Sequence, residues 1–421
     1  MAMVFIILII MLVLGIPIAY AIGLAATWGL LFVGNVPLTV VPQRMYTMLD
    51  TFSLLAIPFF ILAGNLMEKG GISRKLITFA NSIVGHIRGG LGMVDILSCM
   101  LFGAISGSGS AASAAIGGIC IPSMREQGYD KEFSGAITAV SGPLGIIIPP
   151  SVVMVIYATT ANVSVGSMFL AGYLPGCFLG IAMMACVYVI AHKKGYPAGR
   201  RATVKEFFIA LRDAVWALFM IFIIIGGIFS GYFTATEAAC VSVVYALIVG
   251  FFIYRELHLS DLTDIFVKSA MTSSGIMFCV ATTNILAWLM TSQNVAAKVA
   301  ASMSSVISSK IVMLLAINVI FLILGTFLDS TPAIILAVPI LLPLVTQFGV
   351  DPVHFGIIVT VNLAIGMSTP PVGITLFVSS RISETSLTDM IRPMLPLWAV
   401  MIVALLVITF FPPLSMLLVN M

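Results

Sequence analysis

Charged residues are scarce in this sequence. It contains 19 Lys and Arg and 16 Asp and Glu among 421 residues, or 8% charged, whereas 61% of the residues are hydrophobic. Soluble domains carry about 25% charged residues because their surfaces must be hydrated. The shortage therefore excludes a water-soluble fold, and a net charge of +3 is too small to indicate a nucleic-acid partner. The composition predicts a protein whose main solvent is the lipid bilayer.

Motifs for metal, nucleotide and nucleophile chemistry are also missing. The chain has no CxxC pair, no HExxH, no GxSxG and no Gly-Lys dipeptide of a nucleotide-binding loop. Its six cysteines all lie inside apolar stretches: Cys99, Cys120, Cys177, Cys186, Cys240 and Cys279. The sequence therefore predicts neither a zinc site nor a disulfide framework, and it argues against an enzyme.

No Lys or Arg precedes Arg44. A secretory signal peptide needs a positive segment before its apolar stretch, so we expect the first apolar run to remain in the membrane. This run covers residues 1–33 and is interrupted at Gly15-Ile16-Pro17. The interruption predicts two short helices instead of one long helix.

Long apolar runs separated by Pro, Gly or charge predict an all-α polytopic membrane protein with about 10 or 11 transmembrane helices. The runs cover residues 1–33, 52–68, 132–160, 168–191, 214–230, 236–254, 269–291, 355–380 and 393–418. Two amphipathic stretches, residues 74–87 and 200–213, are predicted to lie along the cytoplasmic interface.

Two further apolar stretches, residues 89–124 and 311–346, each contain two half-length helices around a small polar turn. The turns are Ser106-Gly-Ser-Gly-Ser110 and Thr326-Phe-Leu-Asp-Ser-Thr331. Basic residues flank both ends of the first stretch, which places both ends in the cytoplasm. Irregular polar backbone is tolerated at membrane depth only beside protein or water, so both stretches are predicted to be re-entrant hairpins of a functional site.

The basic residues divide unevenly under this topology, as the positive-inside rule requires. Arg44, Lys298 and Lys310 fall outside, together with both chain termini. The other 16 are predicted on the cytoplasmic side: Lys69, Arg74, Lys75, Arg88, Arg125, Lys131, Lys193, Lys194, Arg200, Arg201, Lys205, Arg212, Arg255, Lys268, Arg381 and Arg392.

The second half of the chain repeats the first at an offset of 221–223 residues. Five predicted spans separate equivalent points, so the second repeat is inverted relative to the first. Inverted repeats are typical of secondary transporters, whose sites form near the bilayer midplane. The aligned pairs include Met67 with Met290, Gly103 with Gly325, Phe133 with Phe355, Gly145 with Gly366, Pro149-Pro150 with Pro370-Pro371, and Pro175 with Pro396.

Each hairpin is followed by a helix that Gly and Pro interrupt, at residues 141–151 and 365–371. Pro leaves a carbonyl without its helical donor and Gly lets the backbone approach an ion closely, so these breaks suit a hard cation. Two repeat-related sets of candidate ligands result, which are Ser106, Ser108, Gly145, Ile148 and Pro149, and Gly325, Asp329, Gly366, Met367 and Thr369.

The positive N-terminal ends of the half-helices, at about Ala111, Ser151, Pro332 and Gly373, could hold a carboxylate. No Lys or Arg occurs in either turn or either break, so bound cations and helix ends would have to offset the negative charge of such a substrate. The candidate hydroxyl donors to the substrate are Ser108, Ser110, Ser151, Thr331 and Ser368. Two other acids, Asp95 and Glu237, are expected to be hydrogen-bonded structural residues.

Six stretches carry a resemblance to a known family. They are Pro58-Phe-Phe-Ile-Leu-Ala-Gly64, Gly85-His-Ile-Arg-Gly-Gly-Leu-Gly92, Phe102-Gly-Ala-Ile-Ser-Gly-Ser-Gly109, Ile148-Pro-Pro-Ser151, Phe169-Leu-Ala-Gly-Tyr-Leu-Pro-Gly176 and Thr234-Ala-Thr-Glu-Ala238. At these residues the sequence resembles the large membrane (M) subunit of tripartite ATP-independent periplasmic (TRAP) transporters. Thr234-Ala-Thr departs from the Thr-Pro-Thr of many relatives, at a span start outside the candidate site.

The resemblance implies a multi-pass permease of the bacterial inner membrane, with an ion-transporter-like fold and an elevator mechanism. It implies sodium-driven uptake of an organic acid, so the candidate cation ligands would bind at least two transported sodium ions. It also implies two partners, a small membrane Q subunit and a periplasmic substrate-binding P subunit. The likeness is greatest to the sialic-acid (N-acetylneuraminate) branch, with C4-dicarboxylates as the alternative substrate.

In this architecture residues 89–160 and 310–380 form the moving transport part. Residues 1–88, 161–309 and 381–421 form the scaffold. Two other functions compete, an ion channel and an intramembrane enzyme, because hairpins that meet at the midplane also build pores. The two unlike turns, Ser-Gly-Ser and Leu-Asp-Ser, argue against a symmetric channel filter.

Overall fold

The computed structural model describes residues 2–33, 36–295, 298 and 309–421, and within these ranges it contains helices and no β-strand. Eight helices of this part are long and apolar enough to cross a bilayer. The prediction of an all-α polytopic membrane protein is confirmed. The α-helices are Ala2–Val13, Ile18–Val33, Val40–Leu49, Ala56–Lys69, Ile72–Val84, Gly90–Ser106, Gly109–Glu126, Lys131–Ser141, Val152–Ala161, Val165–Lys194, Val204–Phe229, Ala235–Ile248, Leu259–Ser292, Lys310–Phe327, Ser330–Gln347, Pro352–Met367, Ile374–Ser383, Leu387–Phe410 and Pro413–Met416.

The N-terminal apolar run folds into two helices, as predicted. Ala2–Val13 ends before Gly15, whose φ of +78° lies in the left-handed region that glycine adopts without strain. Twelve residues span only about 18 Å of helix, less than the hydrocarbon core of about 30 Å. This helix is therefore too short to cross the core by itself. It packs along Ile18–Val33, where Gly29 lies against the side chain of Val4.

Both hairpins and both interrupted helices form at the predicted residues, but the hairpin helices are 17 or 18 residues long and not half-length. Lys310–Phe327 and Ser330–Gln347 are among the eight helices that are long enough to cross a bilayer, so re-entry stays a prediction. Each hairpin consists of two helices joined by a short turn, and each interrupted helix consists of two shorter helices around an irregular segment. We name them the first hairpin (residues 90–126), the first broken helix (131–161), the second hairpin (310–347) and the second broken helix (352–383).

The repeat is visible where each hairpin touches its broken helix. A Cβ atom added to Gly103 would lie 2.1 Å from the Cα of Gly145, and one added to Gly325 would lie 3.1 Å from the Cα of Gly366. These four glycines are the aligned pairs of the two halves. Because backbone meets backbone at both contacts, no larger side chain fits there without a shift.

The helices form two groups that also contact each other, because Leu259–Ser292 packs against Ser330–Gln347. In one group, Leu259–Ser292 packs against Ile18–Val33, and Ala56–Lys69 packs against Ala235–Ile248. The other group contains both hairpins and both broken helices.

Val165–Lys194 and Leu387–Phe410 pack against each other and against the hairpin group. Both helices fall in the predicted scaffold ranges 161–309 and 381–421, and the division into scaffold and transport part stays a prediction. Which group moves stays a prediction, and residues 299–308 of the predicted scaffold lie outside the described residues.

One amphipathic stretch differs from its prediction. Residues 200–213 do not form a separate interfacial helix, because Val204–Phe229 is continuous. Thr203 and Glu206 form a capping box that starts this helix, and no Gly or Pro interrupts it before Gly226. The other stretch, residues 74–87, lies mostly in the helix Ile72–Val84, and its place at the interface stays a prediction.

Ion pairs join residues that were predicted on the cytoplasmic side. Lys69 lies 3.3 Å from Asp261, and Lys75 lies 3.0 Å from Glu256. Lys194 pairs with Asp130, and this hydrogen bond is the main reason that the pKa of the Asp130 carboxyl is lowered. These ion pairs bring together residues that are distant in sequence.

Candidate functional site

The turn of the first hairpin is built by small residues. Gly107 ends the first helix with φ of +62°, and its amide donates to the Gly103 carbonyl at 2.8 Å. Ser108 then takes an extended conformation, and its hydroxyl accepts from the amide of Ala111 at 3.4 Å. This arrangement is an N-cap, so the second helix begins with its positive end at the turn.

The turn rests directly on the first broken helix. A Cβ atom on Gly107 would lie 3.0 Å from the Pro150 carbonyl oxygen, and one on Gly145 would lie 3.2 Å from the Ser108 carbonyl oxygen. The Pro149–Pro150 bond is cis. The structure thus brings together the turn and the break that were predicted to hold the first cation.

The carbonyl oxygen of Pro149 accepts a hydrogen bond from the Tyr173 hydroxyl at 3.2 Å. A carbonyl oxygen has two lone pairs, so it retains one for a cation.

The second hairpin repeats this arrangement with an acid at the turn. Asp329 caps Ser330–Gln347, and its carboxylate accepts from the Ser330 amide at 2.8 Å. The Val372 amide of the second break donates to the Thr326 carbonyl at 3.2 Å. The Pro370–Pro371 bond is also cis. The second predicted set therefore also gathers at a hairpin and its break.

A cavity of about 440 Å³ separates the two turns. The predicted residues that line it are Ser106, Ser108, Ser110, Asp329, Thr331 and Met367. Gly145, Ile148, Pro149, Gly325, Gly366 and Thr369 are not part of its wall.

Two predicted substrate hydroxyls do not reach this cavity. Ser151 is buried, and its hydroxyl accepts from the Met154 amide at 3.4 Å as an N-cap. Ser368 is also buried, with its hydroxyl donating to the Ile365 carbonyl at 2.9 Å and accepting from the Trp398 indole at 3.1 Å. Their roles in substrate binding stay predictions.

Several site residues were missed from the sequence. Ser330, Asn65, Glu68 and Lys268 all line the cavity. The Ser330 hydroxyl is buried and has no hydrogen-bond partner, which suits a ligand to a bound ion. Asn65 and Glu68 lie within the predicted span 52–68, where intramembrane polar residues commonly mark functional sites.

A second cavity, of about 500 Å³, adjoins the first. Asn65, Glu68 and Lys268 line both cavities. The second is also lined by Lys69 and Arg74, which were predicted on the cytoplasmic side. Under the predicted orientation, the cavity between the turns therefore continues toward the cytoplasm.

The other two acids make structural hydrogen bonds, as expected. Asp95 is fully buried and accepts from the hydroxyls of Thr138 at 3.0 Å and Ser141 at 2.5 Å. These bonds fasten the first hairpin to the first broken helix. Glu237 accepts from the Thr234 amide at 2.8 Å in a capping box.

The site is rich in oxygen ligands. Within the described ranges, no group of three His, Cys, Asp or Glu side chains could hold a metal ion. Hydroxyls, carbonyls and a carboxylate suit hard cations and not soft transition metals. The wall of the cavity can therefore accept a cation such as sodium beside a polar anion.

Comparison with known proteins identifies relatives over nearly the whole chain. Residues 5–414 match the family described as "Tripartite ATP-independent periplasmic transporter, DctM component". A "C4-dicarboxylate TRAP transporter large permease protein DctM" of Pseudomonas aeruginosa is 41% identical, over 90% of this chain and 88% of that protein. A "Sialic acid TRAP transporter large permease protein SiaM" of Vibrio cholerae is 38% identical, over 96% of this chain and 95% of that protein.

An "Isethionate TRAP transporter permease protein DctMQ" of Oleidesulfovibrio alaskensis is 43% identical. The match covers 96% of this chain but only 64% of that longer protein.

The fold also has a solved counterpart. A structure described as "Crystal structure of the Alcanivorax borkumensis YdaH transporter reveals an unusual topology" superposes with a TM-score of 0.61 at 14% identity, covering 90% of this chain and 89% of that one. This likeness concerns the fold alone. The family match is what defines the chain, which belongs to the TRAP transporter large permease (DctM) family and is a multi-pass inner-membrane transporter subunit, not an enzyme.

Proposed function

We propose that this permease subunit carries out sodium-coupled uptake of an organic acid anion. The observation that carries the proposal is the convergence of two repeat-related turns on one cavity. Ser108 and Ser110 come from one turn, and Asp329 and Thr331 come from the other. Both turns also place the N-terminal end of a helix at the cavity, where an anion is favoured.

The charges of the cavity wall support binding of cations before the acid. Among the described residues that line it, Glu68 and Asp329 are acidic and Lys268 is basic. An anionic substrate would face net negative charge until cations bind. At least two sodium ions, one for each repeat, would reverse this balance, and coupling would then follow from electrostatics.

The names of the relatives suggest the class of substrate. They are named for isethionate at 43% identity, C4-dicarboxylates at 41% and sialic acid at 38%. We therefore place isethionate and C4-dicarboxylates ahead of sialic acid, which the sequence resemblance favoured. All three are anions that hydroxyls and helix N-termini can hold.

The proposed assembly has three parts. The isethionate relative is named DctMQ, and the chain spans 64% of its length, which is consistent with a small Q subunit fused to it. We propose that a separate small Q subunit and a periplasmic P subunit serve this chain. An elevator motion of the hairpin group past the other group would alternate access. Under the predicted orientation, a cavity that continues toward the cytoplasm would correspond to an inward-facing state.

Uptake into proteoliposomes tests this function. The chain is reconstituted with its Q and P subunits, and labelled isethionate, succinate and sialic acid are supplied with an inward sodium gradient or with choline. We expect saturable uptake of one of these acids that requires both sodium and the P subunit, without ATP. Uptake that is equal in choline, or flux that does not saturate, would overturn the proposal.

A further inference from the structure

Lys268 is placed to bind the substrate, although it lies on neither hairpin. It belongs to the long helix Leu259–Ser292, which packs against the second hairpin. Among the described residues that line the 440 Å³ cavity, it is the one basic side chain. It lines the adjoining cavity as well, so it stands where the two cavities meet.

The ammonium group of Lys268 is only loosely paired. Its Nζ lies 3.8 Å from the Glu68 carboxylate, beyond the usual distance of a charge-assisted hydrogen bond of about 2.7–2.9 Å. Its side chain is 65% exposed, and that of Glu68 is 32% exposed. In contrast, Lys75 is bonded to Glu256 at 3.0 Å. Lys268 therefore keeps donors free toward the cavity.

An acid group in this cavity needs such a donor. The hairpin turns offer neutral hydroxyls and amides, and their one charged side chain is the acid Asp329. A carboxylate or sulfonate loses its hydration when it enters the cavity. This desolvation costs several kcal/mol unless the group is paired with an opposite charge or hydrogen-bonded. The ammonium of Lys268 is the group at the wall that can pair with it.

We propose that Lys268 binds the acid group of the substrate in the inward-facing state, and that Glu68 holds its ammonium when substrate is absent. This inference rests on the proposed function and names the residue that contacts the acid group. Glu68 then competes with the substrate for the same ammonium. The competition weakens binding on the cytoplasmic side and favours release.

Equilibrium binding to the purified chain in nanodiscs tests the inference. Labelled isethionate and succinate are titrated in saturating sodium against the unaltered chain and the variants Lys268→Gln, Lys268→Arg and Glu68→Gln. A charge-assisted hydrogen bond contributes enough that Lys268→Gln is expected to weaken binding about 10- to 100-fold. Lys268→Arg is expected to restore most of the affinity, and Glu68→Gln is expected to increase it.

Lys69→Gln is the matched control. Lys69 is adjacent in sequence to Glu68, pairs with Asp261 at 3.3 Å, and lines only the adjoining cavity. We expect this variant to bind both acids normally, with an unchanged sodium concentration at half-saturation, because Lys69 does not line the cavity between the turns. Equal affinity of Lys268→Gln and the unaltered chain would overturn the inference while leaving the proposed function intact. Absence of any sodium-dependent binding by the unaltered chain would instead refute the proposed function.

Discussion

At Gly145, the first hairpin packs against the first broken helix, and the same contact forms the first predicted cation site. A Cβ atom added to Gly145 would lie 3.1 Å from the Cα of Gly103 and 3.2 Å from the carbonyl oxygen of Ser108. Carbonyls at this contact are available to a cation only while the hairpin turn stays in place. A side chain at Gly145 would separate the two elements.

Gly145→Val is therefore expected to abolish sodium-coupled uptake. Overpacking of this kind costs about 1–3 kcal/mol, which the turn can relieve by moving away from the break. Gly118→Val is the matched control, because a Cβ atom there meets nothing within 4 Å. Both variants should be monodisperse in detergent, and loss of one site should lower the Hill coefficient for sodium. Unchanged sodium dependence in Gly145→Val would rule out this cation site.

At Asp329, a substitution can remove the charge without changing the start of the helix. Asn is as good an N-cap as Asp, so Asp329→Asn keeps the start of the helix and removes only the charge. We expect the sodium concentration at half-saturation to rise about tenfold or more, equivalent to about 1.4 kcal/mol. Asp351→Asn is the control, since Asp351 also caps a helix but does not line the cavity between the turns. Equal sodium dependence of the two variants would show that Asp329 is not a ligand.

At the scale of elements, each hairpin is held to its broken helix by a buried polar contact. In the first half, Asp95 accepts from Thr138 and Ser141. In the second half, the amide of Asn362 donates to Asn318 at 2.8 Å. Ser141 and Asn362 are 221 residues apart, which is the offset of the repeat.

Asp95→Asn tests whether this contact is structural. Loss of the charged acceptor is expected to lower the free energy of unfolding by about 1–2 kcal/mol and the thermal midpoint in detergent. Sodium half-saturation should not change, because Asp95 does not line the cavity. A large change in sodium affinity without a change in thermal midpoint would place Asp95 on the ion path instead.

The elements themselves could be predicted from the sequence, because their signals are local. Gly107 and Ser108 mark one turn, Asp329 caps the other, and Pro149 and Pro370 mark the breaks. Because these signals recur at an offset of 221–223 residues, the sequence also indicated that the two hairpins and their breaks are equivalent.

Contacts between distant elements could not be predicted in the same way. Lys268 reaches the cavity only because Leu259–Ser292 packs against the second hairpin. Ser368 does not line the cavity, and its hydroxyl accepts a hydrogen bond from the indole of Trp398, 30 residues later. The continuous helix Val204–Phe229 was missed because its charged first turns resemble an interfacial helix.

At the scale of the whole molecule, the charge distribution predicts the orientation. Single cysteines are introduced on a background without the six native ones, and we expect Arg74→Cys, Arg125→Cys, Lys194→Cys and Arg255→Cys to react only with reagents supplied from the cytoplasm. Arg44→Cys and Lys298→Cys should react only from outside. Labelling of position 44 or 298 from the cytoplasm would contradict the inverted-repeat topology.

Binding of the organic acid to the purified chain, in sodium and in choline at constant ionic strength, tests the central claim most directly. The claim is that cations at the two hairpin turns must be present before the acid can bind, because the wall carries Glu68 and Asp329 against Lys268 alone among its described residues. We predict saturable binding of the acid in sodium and a loss of at least about 100-fold in affinity in choline, equivalent to about 2.8 kcal/mol. Equal binding in the two salts would contradict the account.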